Sequence, residues 1–124
     1  MVHKANLIVY SAGKEQVWPC DMTFIARNNS NTLTFETSGF ALSICLKDVV
    51  DLEDFANLLK GKEKKNILHC TLIHNAKEYK GLRKVMLKNG RLAVSLGGVR
   101  IELDAQTKKT LEESLAGMKA KMGL

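Results

Sequence analysis

Residues 33–61 read LTFETSGFALSICLKDVVDLEDFANLLKG, and this stretch decides the fold class. Leu33, Phe35 and Thr37 alternate with Thr34 and Glu36, the period-two pattern of a strand with one apolar face. Ser38-Gly39 makes a tight turn, and Phe40, Leu42, Ile44 and Leu46 line one face of the next strand. The period then changes. Asp48, with Asp51 three residues on, opens a helix, because carboxylates there accept the unpaired backbone N–H groups of a first turn. Leu52, Phe55, Ala56 and Leu59 recur at helical spacing, and Gly61 can end the helix.

Upstream, Leu7 to Ser11 read as a short strand and Val17 to Arg27 as a longer one, with Cys20, Met22, Phe24 and Ala26 on one face. The polar cluster Asn28-Asn29-Ser30-Asn31 turns the chain into the strand at Leu33. Downstream, the same plan recurs. Ile67 to His74 and Leu82 to Lys88 are strands, and Asn89-Gly90 is a strong hairpin signal because a two-residue turn of that twist needs φ > 0. Leu92, Val94 and Leu96 alternate, Gly97-Gly98 turns the chain, and Val99, Ile101 and Leu103 line a last strand. Asp104 caps a helix whose stripe is Leu111, Leu115, Met118 and Met122. An offset of 59 lays Phe35 on Val94, Gly39 on Gly98, Ile44 on Leu103 and Leu52 on Leu111. The expectation is an α+β chain of internally duplicated ββββα units, 1–60 and 61–124, forming a single domain. Each unit supplies one antiparallel sheet followed by a helix, and a pseudo-twofold axis relates the two sheets so that their apolar faces bury each other.

The 124 residues suit one compact domain. No apolar run approaches the roughly 20 residues needed to span a bilayer, and Leu7–Tyr10 is too short for a signal-peptide core. A cytoplasmic location without membrane contact is therefore expected, and three widely spaced cysteines, Cys20, Cys45 and Cys70, fit reduced thiols better than a disulfide framework. Net charge is +6, unevenly spread: residues 1–59 carry −3 and residues 60–124 carry +9. Residues 76–100 hold seven basic side chains and one acid, Glu78. Alternation puts Lys84, Lys88, Arg91, Ser95, Arg100 and Glu102 on the wet face of the second unit, with Lys77, Lys80 and Arg83 nearby.

A basic sheet face suits a phosphate backbone, since Lys and Arg there displace condensed counterions. Aromatic stacking partners are few: Trp18, Tyr10 and Tyr79. Other chemistry is weakly supported. His69 and Cys70 diverge on a strand, and Cys70 and His74 stand too far apart for one zinc, so neither a metal site nor another cofactor is expected. Nothing resembles a phosphate-cradling glycine loop or a nucleophile elbow, and the chain is read as non-enzymatic.

Gly98-Val99-Arg100-Ile101-Glu102-Leu103-Asp104-Ala105-Gln106, with Leu111 and Leu115 beyond, resembles the last strand and helix of the positive-cofactor-four coactivator family. The doubled order of four strands and a helix is similar to the Whirly and Pur-alpha proteins. The resemblance implies binding of single-stranded DNA or RNA through a curved sheet, carried here by Arg83, Lys84, Lys88, Arg91 and Arg100. It covers about 20 residues, and the lysine-glycine-lysine-alanine segment of Whirly proteins is absent. The alternative is a small protein-binding module, an inhibitor or assembly subunit, whose basic half meets an acidic partner. Exposed sheet edges would also permit a homo-oligomer.

Overall fold

The structure, a computed structural model, describes residues 2–27 and 30–121. Of the expected turn Asn28-Asn29-Ser30-Asn31, the first two residues lie outside these and the last two are already strand; the expected core residue Met122 also lies outside, as do the side chains of Ala26, Arg27, Ser30, Met118 and Lys121. The element order is β1 (Val2–Ser11), β2 (Lys14–Arg27), β3 (Ser30–Thr37), β4 (Phe40–Leu46), α1 (Val49–Leu59), β5 (Lys65–His74), β6 (Lys77–Lys88), β7 (Arg91–Leu96), β8 (Val99–Leu103) and α2 (Ala105–Lys121).

Local chemistry explains most of these boundaries. The turns Ala12-Gly13, Asn75-Ala76, Asn89-Gly90 and Gly97-Gly98 all have positive φ at both residues, the two-residue hairpin geometry that matches strand twist. Asp48 caps α1 by accepting a hydrogen bond from the Asp51 backbone N–H at 2.9 Å, and the Asp51 carboxylate accepts one from Lys47 N–H at 3.0 Å. Gly61, at φ 78°, closes the other end: its N–H donates to Leu58 and that of Lys62 to Asn57, a Schellman pair. Asp104 likewise accepts from the Thr107 N–H at 2.8 Å at the start of α2.

The eight strands do not form two sheets. They form one closed antiparallel barrel in sequence order. β4 pairs with β5 from Phe40↔His74 to Cys45↔His69, across the connection that contains α1. β1 pairs with β8 from Leu7↔Leu103 to Tyr10↔Arg100. The expectation of duplicated units, two sheets each followed by its helix and facing across a pseudo-twofold axis, is thereby overturned. The physical reason is edge satisfaction. Two separate four-stranded sheets would leave four rows of unpaired backbone N–H and C=O groups, and joining them at both seams pairs most of these groups.

Inside and outside replace dry face and wet face. Leu7, Leu33, Phe35, Ile44, Leu72 and Ile101 point inward and are almost wholly buried. A void between Phe35, Ile44, Val85 and Ile101 measures about 10 Å³, at the lower limit for a single water, so side chains fill this part of the lumen. The two helices lie at the end away from the Ser38-Gly39 and Gly97-Gly98 turns, and Leu52, Phe55, Leu58, Leu111 and Leu115 complete the core there. Each such burial stabilises by roughly 1.5–3 kcal/mol. Among the described residues, no helix is long and apolar enough to cross a membrane.

Closure leaves several stretches paired on one side only, and the two longest lie on β2 and β6. β2 meets β3 only from Asp21 onward, and β6 meets β7 only from Val85 onward. Residues 14–20 and 77–84 therefore run on as overhangs paired on one side only. Pro19, with no N–H to offer a ladder, sits in the first overhang, where its unpaired side loses nothing.

Candidate functional site

The strands of the second half carry the basic residues, and register decides which of them meet. On β6 the inward side chain Val85 pairs with Val94 of β7, and Val94 pairs with Ile101 of β8. The residues between them therefore face outward: Lys80, Lys84 and Lys88 on β6, Arg91 on β7, and Arg100 on β8. Lys88 and Arg91 are direct cross-strand partners, as are Ser95 and Arg100. Lys84 and Lys88 are exposed and form no ion pair among the described residues. Lys80 lies 3.2 Å from Glu78.

Two of the expected site residues leave this surface. Lys77 and Arg83 share the parity of Val85 and project from the opposite side of β6, in the overhang. Arg83 is exposed there, and its Nη1 donates to the Leu82 carbonyl at 2.9 Å.

Glu102, expected on a wet face, is buried at 6% exposure. It stands between Ile8 of β1 and Ala93 of β7, both buried, and it exists in that setting only because β1 closes against β8. Its carboxylate is enclosed by a small polar cluster. Oε2 lies 3.1 Å from Nε of Arg100, and Oε1 lies 3.6 Å from Nη1 of Arg91. The Arg100 approach is an ion pair without hydrogen-bond alignment, since Nε is buried with no aligned acceptor. The Tyr10 hydroxyl donates to Oε1 at 3.4 Å and accepts from Arg91 Nη1 at 3.5 Å. The Arg100 guanidinium lies over the Tyr10 ring, 4.2 Å from its centroid. The cluster carries net charge +1. Arg91 and Arg100 are thus half-buried and oriented, whereas Lys84 and Lys88 are free-standing. The signal available in the sequence was the i, i+2 pair Arg100 and Glu102; the participation of Tyr10 follows from strand closure.

Aromatic residues gather elsewhere. Trp18 packs edge-on against Phe40 at 4.9 Å between centroids and tilts against His74 at 5.7 Å. Its indole Nε1 donates to Gln16 at 3.0 Å, and a cleft of about 190 Å³ opens beside it between Lys14 and His74. Tyr79 lies against the Gly97 turn, where an added Cβ would come within 2.7 Å of its ring.

Cys20 and Cys70 face inward and Cys45 lies half-buried opposite His69; all three are free. Burial pushes both inward thiols up to about 11, so they are protonated at neutral pH. His69 faces outward and Cys70 inward. Among the described residues, no three His, Cys, Asp or Glu side chains are grouped to hold a metal ion. Compared with protein-family models, with curated proteins and with solved structures, the chain has no significant match.

Proposed function

We propose that this protein binds single-stranded DNA or RNA, without catalysis, along the outer face of β6, β7 and β8. One observation carries the reading: the register that gathers Lys84, Lys88, Arg91 and Arg100 on one outward surface beside a single buried acid. At a strand rise of about 3.4 Å, Lys84 and Lys88 stand about 14 Å apart, near the span of two nucleotides in an extended strand. Oriented guanidiniums next to free-standing lysines combine a fixed contact with a diffuse one. The likeness of residues 98–106 to the positive-cofactor-four family points the same way. Free thiols in place of disulfides suit a cytoplasmic setting.

Titration against single-stranded and duplex oligonucleotides at two salt concentrations tests it. Affinity falls steeply with salt and favours the single strand. Each of K84A, K88A and R91A weakens binding to all sequences alike and lowers the salt slope by about one unit or less. Binding no tighter than to heparin, or unchanged in the triple variant, removes the reading. A second reading, docking of an acidic protein partner, is favoured by the exposed Ile67 and Leu82 beside Lys84 on the outer face of β5 and β6. Retained binding of an acidic polypeptide with no preference for single strands would favour it.

A further inference from the structure

We propose that Arg100 is a base-stacking residue, taking one unpaired base on the guanidinium face turned away from Tyr10. The inference deepens the nucleic-acid reading and rests on it. Surface arginines usually sample many rotamers, and stacking on a mobile side chain would lose the entropy of fixing it. Arg100 is already restrained. The Tyr10 ring lies beneath it at 4.2 Å, and the Glu102 carboxylate stands 3.1 Å from Nε as an ion pair. The Tyr10 hydroxyl in turn bridges Glu102 and Arg91 through long contacts of 3.4 and 3.5 Å.

Exposure separates the parts. The Glu102 side chain is 7% exposed, while those of Arg100 and Arg91 are 41% and 42% exposed. The acid is internal, whereas both arginine side chains reach the surface, with Nε of Arg100 on the buried side. A guanidinium is weakly hydrated over its plane, so covering it with a base displaces little bound water. Unstacked bases in single strands are accepted on such planes as well as on aromatic rings. The arrangement is then ring, guanidinium, base, with Arg91 left to reach the adjoining phosphate. It also supplies the stacking surface that Trp18, held against Phe40 and His74, is poorly placed to give.

The test uses an oligothymidylate carrying one 2-aminopurine, moved position by position, with the full-length wild-type protein, R100K and Y10L. R100K keeps the charge but loses the plane. Y10L keeps every charge but removes the ring that supports it. Wild-type binding quenches the probe at a defined position. Both variants bind about tenfold more weakly, the size of one lost stack, with an unchanged salt slope and no quenching. Quenching and affinity equal to wild type in R100K and Y10L overturn the stacking role while leaving phosphate binding intact. Absence of any salt-dependent binding by the wild-type protein removes the nucleic-acid reading and the stacking role together.

Discussion

Cys20 and Cys70 differ from Cys45 by one parity step along their strands, and that step sets their chemistry. Burial in the barrel is the main cause of the raised pKa of both inward thiols; for Cys20 the Asp21 and Asp104 carboxylates add to it, and for Cys70 the Arg83 guanidinium partly offsets it. Reaction with a disulfide reagent needs the thiolate and access to it. At pH 8 the native protein should therefore yield one fast thiol, Cys45, with the other two released only on unfolding; rapid labelling of all three would contradict the inward assignment. The same groups make stability depend on pH. From an ordinary value of 9.0 to about 11, the unfolded chain loses thiol protons that the folded chain retains, so stability falls as pH rises through that window. Chemical denaturation at pH 8 and pH 10.5 measures the difference.

At the scale of elements, α2 does more than cap the barrel. β8 ends its pairing at Leu103↔Leu7, so Asn6, the next residue of β1, has no strand partner there. Thr107, buried in the first turns of α2, supplies one: its hydroxyl accepts from Asn6 N–H at 2.9 Å and approaches the Asn6 carbonyl at 3.3 Å. Thr107→Val keeps the shape and removes both bonds, and it should lower stability by about 1–3 kcal/mol with an unchanged denaturant m-value. An unaffected midpoint would show that water replaces the hydroxyl. Caps and tight turns are local chemistry, which is why Asp48, Gly61, Asn89-Gly90, Gly97-Gly98 and Asp104 were legible in the sequence. Strand starts were less so. β1 begins at Val2 rather than Leu7, β2 at Lys14 rather than Val17, and β6 at Lys77 rather than Leu82. The added residues of β2 and β6 belong to overhangs, and those of β1 before Asn6 pair only with β2; little there carries an uninterrupted alternation of apolar and polar side chains.

For the whole molecule the decisive contacts are the seams, β4 to β5 and β1 to β8. Alternation along one strand says which side chains share a face, so the outward direction of Lys84, Lys88, Arg91 and Arg100 could be read in advance. It does not say which strand lies beside which across about 96 residues, so neither the closed barrel nor the burial of Glu102 against Tyr10 was legible. Closure also means that neither half has a complete hydrogen-bond ladder. A fragment of residues 1–62 should fail to fold as a monomer and should associate or precipitate; a folded monomeric fragment by circular dichroism and sedimentation would argue for independent halves. The hairpins have a further consequence. The five described ones each spend two residues on the turn, so they hold no slack. A single inserted or deleted residue within a strand would carry every later side chain of that strand through the wall, core to solvent and solvent to core. Among the described residues between Val2 and Leu103, the longest run outside the strands and α1 is 60–64, the link from α1 to β5, and it is the most forgiving stretch. Changes of chain length, inherited or engineered, are therefore channelled to that link and to the ends.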